Sequence, residues 1–271
     1  MPLLFRQFAF FVYPYLSSFD VCIRTHVHSI SVVAGLHAGV FFLSWSRRLM
    51  KIILFGATGM IGQGVLRECL LDPGVDVVLS VSRSSLHQQH AKLQELVTPN
   101  LADLNAFASQ LTGFDACFYS LGASAAGMNE ENYRRINYDL PLAVANLLVK
   151  LNPQMTFIYV SGRGTDSTEK GRSMWARVKG QTENALLRLP FKAAYMFRIG
   201  AVLPLHGIKS KTSLYNLFYA VGTPLMLLIR KFSPQYVQTT EEVGKAMVIA
   251  AKRGAPKPVL ETSDIFQLLN S

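Results

Sequence analysis

The sequence predicts a doubly wound α/β fold, a parallel sheet with helices on both faces, and three observations carry that expectation. From Met50 onward, short apolar, β-branched runs alternate with helical patterns. The first run passes directly into a glycine-rich turn, Gly56-Ala57-Thr58-Gly59-Met60-Ile61-Gly62, and then into a helix. The chain has 271 residues, half of them apolar and 16% charged, which is enough to bury one sizeable core and argues against disorder. No internal repeat or low-complexity tract divides it.

Lys51 to Phe55 reads as the first strand, the stretch through Leu71 as a helix, and Asp76 to Val81 as the second strand. Lys92 to Thr98 is a weaker third strand, followed by a helical pattern over 102–111. Asp115 to Leu121 (DACFYSL) is a buried fourth strand. Glu130 to Lys150 reads as one long helix with Ile136, Leu140, Val144 and Leu147-Leu148 on one face, kinked at Pro141. Met155 to Val160 is a fifth strand, Ser173 to Leu189 a helix, and Ala193 to Ile199 a sixth strand. Glu241 to Arg253 is a helix, and Val259-Leu260 precedes a short terminal helix. Leu214 to Ile229 is strongly apolar, broken at Gly222-Thr223-Pro224 and flanked by Lys209, Lys211, Arg230 and Lys231. The expectation is two short helices packing over the cofactor cleft, with a lid for an apolar substrate or a basic-flanked membrane-surface patch as the alternatives.

Residues 1–49 are a different kind of sequence, rich in Phe, Val, Ser and His. Val27 to Trp45 is mostly apolar but diluted by His28, His37, serines and glycines, so it only borders on the roughly 20 apolar residues a spanning helix needs. Phe8 to Leu16 is interrupted by Pro14 and lacks a clear cleavage site. The segment is expected to be an upstream extension or misassigned start, with a weak membrane anchor as the alternative, and the domain is expected to run over 50–271. The expected location is cytoplasmic, peripheral or N-terminally anchored membrane attachment being the alternative.

The glycine turn carries the chemistry. Gly56 allows a tight turn, Gly59 lets backbone approach a pyrophosphate, and Gly62 lets the helix pack closely on the strand. Thr58, Met60 and Ile61 complete the loop and first helical turn that would cradle the phosphates. Strand, turn, helix, strand is the context in which this motif means dinucleotide binding and the Rossmann arrangement. The second strand ends in Ser82-Arg83-Ser84-Ser85, with no acid to accept from ribose hydroxyls. An arginine there suits a 2′-phosphate, so NADP(H) is expected over NAD(H).

A formal net charge of +10 fits anionic ligands or surfaces, but no dense basic block or aromatic-interleaved stripe suggests nucleic acid. Three widely spaced cysteines (Cys22, Cys69, Cys117) suggest reduced residues rather than a disulfide framework, and His87, His90 and His206 show no metal spacing.

The glycine motif, DACFYSLGAS at 115–124, YRRINYD at 133–139, FIYVSGRG at 157–164 and VKGQTENALL at 178–187 form an ordered series. Together they resemble the atypical short-chain dehydrogenase/reductases, specifically small epimerase-like oxidoreductases of the Tat-interacting-protein type, over about Met50 to Ser271. The resemblance implies a Rossmann domain with a short C-terminal substrate region. It places Leu121, Gly122 and Ala123 along the cofactor. It gives Asn137 a role in supporting a proton-relay water and Ser161 a role in orienting a substrate carbonyl or alcohol. Phe197-Arg198-Ile199-Gly200 is similar to the family's Arg-Pro-Gly strand end.

The departure is at the catalytic pair. The family's Tyr-x-x-x-Lys puts an acid/base phenol and a ribose-binding lysine on one helical face. Here Trp175-Ala176-Arg177-Val178-Lys179 keeps the lysine and replaces the tyrosine. An indole N–H donates a hydrogen bond but does not exchange a proton near pH 7. Either another group acts (Tyr159, Tyr138 or a water on Lys179), or the acceptor is already activated, or the protein binds NADP(H) without turnover. The expectation is an NADP(H)-dependent oxidoreductase acting on a small, mostly apolar carbonyl or alcohol. A non-catalytic NADP(H)-binding regulator or assembly factor is the alternative, and a sugar-nucleotide epimerase is disfavoured by the short apolar substrate region.

Overall fold

A computed structural model of the protein describes residues 49–208 and 226–271, together with the backbone of three strands nearer the N-terminus. Those strands are β1 (Arg24–His26), β2 (Ser29–Leu36) and β3 (Gly39–Ser44), paired antiparallel in that order. The spanning helix weighed as an alternative for Val27 to Trp45 is not what the described backbone of Ser29–Leu36 and Gly39–Ser44 forms. Neighbouring Val32-Val33 and Phe41-Phe42 favour extended chain, and the two runs pair with each other. Among the described residues no helix is long and apolar enough to cross a membrane. Residues Met1–Arg48 form one compact unit and Leu49–Ser271 another.

The larger unit begins with β4 (Met50–Phe55), α1 (Met60–Leu71), β5 (Val75–Ser82) and β6 (Leu93–Val97). A 3-10 helix at Asn105–Leu111 takes the place of the helix expected over 102–111. So short a segment recovers few i→i−4 bonds against the cost of nucleation. Then follow β7 (Ala116–Tyr119), α2 (Glu130–Arg134), a π-helical turn (Arg135–Asp139), α3 (Leu140–Leu151), β8 (Thr156–Gly162) and α4 (Met174–Leu187). The rest is β9 (Ala193–Ile199), β10 (Ala201–Leu203), a helix at 226–232, β11 (Val237–Thr239), α5 (Thr240–Arg253), β12 (Val259–Glu261) and α6 (Thr262–Leu269). Residues 209–225, where most of the apolar 214–229 run falls, lie outside the described residues.

Seven strands make one parallel sheet in the order β12-β9-β8-β7-β4-β5-β6. The chain winds outward from β4 through β5 and β6, returns to β7 on its other side, and continues to β12. The Rossmann fold expected from the sequence is thus the observed one, with its switch point between β4 and β7, where ligands of such sheets bind. Period-two alternation sorts the strands' side chains onto two cores. Ile52, Leu54, Phe118 and Ile158 pack with Val65, Leu66, Met247 and Ile265 of α1, α5 and α6. Ile53, Phe55, Tyr119, Phe157 and Tyr159 pack on the opposite face with Leu111, Leu148 and Leu186. β10 and β11 form a separate parallel pair.

The helix expected over 130–150 with a kink at Pro141 is continuous from Glu130 to Leu151, with a π-helical turn just before the proline. Leu140 N–H bonds to Arg135 O, five residues back. Pro141, having no N–H, makes no bond to Asn137 O, so that carbonyl is left for side chains.

Candidate functional site

The glycine turn lies at the switch point. Gly56 sits at φ +86°, and a Cβ there would come within 2.7 Å of Leu121 N, so the loop after β7 is drawn against the turn. A Cβ on Gly62 would stand 1.9 Å from Gly56 O, so α1 can start beside the turn only without a side chain. Gly59 precedes the first residue of α1, with its N–H bonded to Gly56 O at 2.9 Å, while Met60 and Ile61 pack partly buried against the core. No acidic residue occupies the first turn of α1, which leaves its positive end available to an anion. Thr58 and Ala57 line a cleft of about 630 Å³ with Gln63, Arg67, Ser84 and Ser85. Arg83, at the end of β5, is exposed and has no ion-pair partner among the described residues.

Across the switch point, Gly122 is exposed, and a Cβ there would stand 3.1 Å from Asn137 Oδ1 and 3.6 Å from Lys179 Nζ. Asn137 is buried in the π-helical turn, where its Oδ1 accepts from Ala123 N–H (3.3 Å) and its Nδ2 donates to Tyr133 O (3.2 Å). Its freed carbonyl accepts the Tyr159 hydroxyl at 3.3 Å and lies 2.8 Å from the Thr182 hydroxyl. Lys179 Nζ in turn donates to the Tyr159 hydroxyl at 2.9 Å. The structure thus gathers Lys179, Asn137, Leu121 and Gly122 at the carboxyl ends of the strands. The place next to the asparagine carbonyl is taken by two protein hydroxyls. Burial pulls the Lys179 ammonium down to about 8, with the Glu183 charge acting in the opposite direction. Burial pushes the Tyr159 phenol well above its usual range, so it stays protonated.

Helix α4 is held close to the loop after β8. A Cβ on Gly180 would be 1.8 Å from Asp166 O, and Asp166 N–H bonds to Ala176 O at 3.0 Å. That contact fixes where Lys179 and Trp175 stand. The Trp175 ring borders the small residues of the same loop, 3.6 Å from a Cβ placed on Gly162 or on Gly164. Tyr138, another residue considered for proton transfer, has the Arg134 guanidinium 4.0 Å from its ring centroid.

Ser161 is not presented to an open cleft. It is buried, and its hydroxyl donates to Glu183. Period two puts it on the face of β8 that carries Tyr159, beneath α4. Glu183, fully buried, also accepts from Arg198 Nε at 3.1 Å through each carboxylate oxygen, and Arg198 reaches Glu261 at 3.0 Å and the Ser167 hydroxyl. This network joins β8, α4, β9 and β12. Arg198, at the strand end that resembles the family's Arg-Pro-Gly, is a brace between elements. The sequence reading did not single out Glu183 or Thr182. The signal was there in part: Glu183 lies one helical turn after Lys179, on the same face. Cys69 and Cys117 are buried free thiols; Cys22 lies outside the described residues. Among the described residues no cluster could hold a metal ion.

The model of the NAD dependent epimerase/dehydratase family matches residues 52–171. The mitochondrial protein FMP52 of Candida glabrata is 30% identical over 209 residues, spanning 76% of this chain and 86% of that protein. This chain belongs to the epimerase-like short-chain dehydrogenase/reductase family. Its fmp52 relative from Emericella nidulans is 26% identical over 160 residues, 57% of this chain and 67% of the relative. Among solved structures, Bordetella bronchiseptica WbmF in complex with NAD+ superposes with a TM-score of 0.58 at 13% identity, covering 83% of this chain and 79% of that one. Uronate dehydrogenase from Agrobacterium tumefaciens gives 0.57 at 15% identity, covering 80% and 77%. The structural likenesses show the Rossmann fold, and the matched family is described as NAD dependent. The dinucleotide named with WbmF is NAD+, not NADP. Both FMP52 relatives are named mitochondrial proteins, which overturns the cytoplasmic expectation. That expectation rested on residues 1–49 lacking a clean secretory or spanning pattern, and such a lack does not specify a compartment.

Proposed function

We propose that the protein binds NADP(H) across the switch point and works as an oxidoreductase on a small, mostly apolar carbonyl compound or its alcohol. The observation that carries this reading is the buried Lys179 ammonium, braced by Tyr159 and facing the exposed Gly122, opposite the glycine turn. Gly56, Gly59, Gly62 and the start of α1 would hold the pyrophosphate, Lys179 the nicotinamide ribose, and Leu121-Gly122 would give the ring close backbone approach. The dinucleotide supplies the hydride; the chain's own residues bind it, orient it and fix the ammonium. Support for the 2′-phosphate comes from Arg83, exposed beside the cleft-lining Ser84 and Ser85, with no acid at the end of β5. Glu95 on β6 is engaged by Leu86 N–H at 2.8 Å and by Ser85. The relatives' names support a mitochondrial setting.

A second reading, dinucleotide binding without turnover, is favoured by one observation. Trp175 stands in the tyrosine position, and the hydroxyls of Tyr159 and Ser161 are buried and committed elsewhere. An acceptor that takes hydride without a strong acid would reconcile the two readings.

Arg83 tests the cofactor assignment. Arg83→Ala should weaken NADPH binding about tenfold or more while leaving NADH nearly unchanged, because a charged hydrogen-bonded contact contributes about 1.5–3 kcal/mol. Calorimetric or fluorescence titration of both dinucleotides reads the difference, and equal losses would reject the 2′-phosphate contact.

A further inference from the structure

The helix at 226–232 presents an outward face that the dinucleotide site does not use. Leu227 and Leu228 are each 55% exposed and Phe232 is 76% exposed. At 100° per residue, positions 227, 228, 231 and 232 fall within one arc, so Lys231 shares this face with the three apolar side chains. The orientation is fixed by Arg230 on the other side. Its guanidinium forms a two-pronged pair with Glu242 at 2.7 and 2.6 Å and donates to Val237 O at 2.8 Å, tying that side to β11 and the start of α5. Tyr236, just beyond, is 47% exposed, with the exposed Arg163 guanidinium 5.4 Å from its ring centroid. The apolar face is therefore turned to the surface, away from β11 and the start of α5.

Charge says what such a face meets. From Asn184 to Thr240 the sequence contains no Asp or Glu, whereas Lys209, Lys211, Arg230 and Lys231 all fall within it. Exposed leucines and an aromatic ring, edged by cations with no carboxylate in the surrounding sequence, match the boundary of an anionic bilayer. A second copy of the chain fits less well. The five exposed apolar and aromatic side chains of residues 227–236 offer roughly 500 Å², short of the ~800 Å² per partner of a stable interface. A symmetric contact there would also bring the Lys231 ammonium groups of the two copies together.

We propose that residues 226–236 form a surface by which the protein rests on anionic lipid membranes. Leu227, Leu228 and Phe232 enter the headgroup–acyl boundary, and Lys231 meets lipid phosphate. The attachment is independent of which dinucleotide or substrate the site takes.

The test is flotation of the full chain with vesicles of phosphatidylcholine alone or with roughly a third phosphatidylglycerol. The full chain should float with the anionic vesicles, much less with the neutral ones, and less again in about 0.5 M salt. Leu227→Gln/Leu228→Gln/Phe232→Gln should reduce the floating fraction at least tenfold, and Lys231→Glu several-fold. Circular dichroism and dinucleotide titration should be unchanged, because all four side chains are on the surface. Failure of the full chain to float with anionic vesicles would overturn the proposal. So would a triple variant that floats as well as the parent, which would move attachment to another segment. Loss of a dimer in the triple variant, measured by light scattering without lipid, would assign the face to protein contact instead.

Discussion

Glu183→Ala should cost about 3–5 kcal/mol of stability, because it leaves the Arg198 guanidinium buried without its principal counter-charge. Glu183 is fully buried and receives Arg198 and the Ser161 hydroxyl, so truncation removes several charge-assisted bonds at once. In a unit of this size the melting temperature should drop by roughly 6–20 °C. Glu183→Gln keeps the shape and some of the bonds and should lose less. The same charge favours the Lys179 ammonium one helical turn away, so dinucleotide affinity should fall with stability. Chemical denaturation with a parallel cofactor titration measures both. A loss below about 1 kcal/mol would show that Arg198 finds adequate partners in Glu261 and Ser167.

Trp175→Tyr should raise NADPH-linked reduction of a carbonyl on the order of a hundredfold, since a positioned acid/base contributes about 10²–10⁴ in rate. The rest of the pair is already in place. Lys179 stands four residues on, its ammonium 2.9 Å from the Tyr159 hydroxyl, and Gly180 holds α4 against Asp166 O. A phenol at 175 would project from the same helical position as the indole, beside the loop of Gly162 and Gly164. The buried lysine beside it would favour the phenolate by its charge. Steady-state assays over a panel of aldehydes and ketones give the comparison. An unchanged rate with intact NADPH binding would mean that more than the missing tyrosine separates this site from the family's reductases.

The parts of the fold that depend on local pattern were legible in the sequence. Ile52-Ile53-Leu54-Phe55, buried on both sides, reads as a central strand, and Gly56 to Gly62 locates the switch point before any topology is known. What depends on long-range pairing was not legible. Ser161 looks like a substrate-facing hydroxyl until β8 and α4 are placed together, and only then does it meet Glu183. Arg198 likewise resembles a strand-end motif residue, yet its partners lie on α4 and β12, at Glu183 and Glu261. Pro141 signals a kink in the helix. Its larger consequence lies four residues earlier, in a carbonyl that two side-chain hydroxyls share. The strands within residues 24–44 escaped notice because diluted apolar sequence suits a hairpin as well as a helix.

Dinucleotide binding itself is the central claim, and equilibrium titration of the full chain with NADPH and then NADH tests it most directly. Trp175 lies beside the site, so its fluorescence serves as a reporter alongside calorimetry. The expected result is saturable one-to-one binding of both, tighter for NADPH, and abolished by Gly62→Val because that side chain would collide with Gly56 O. Absence of saturable binding by either dinucleotide would contradict the account.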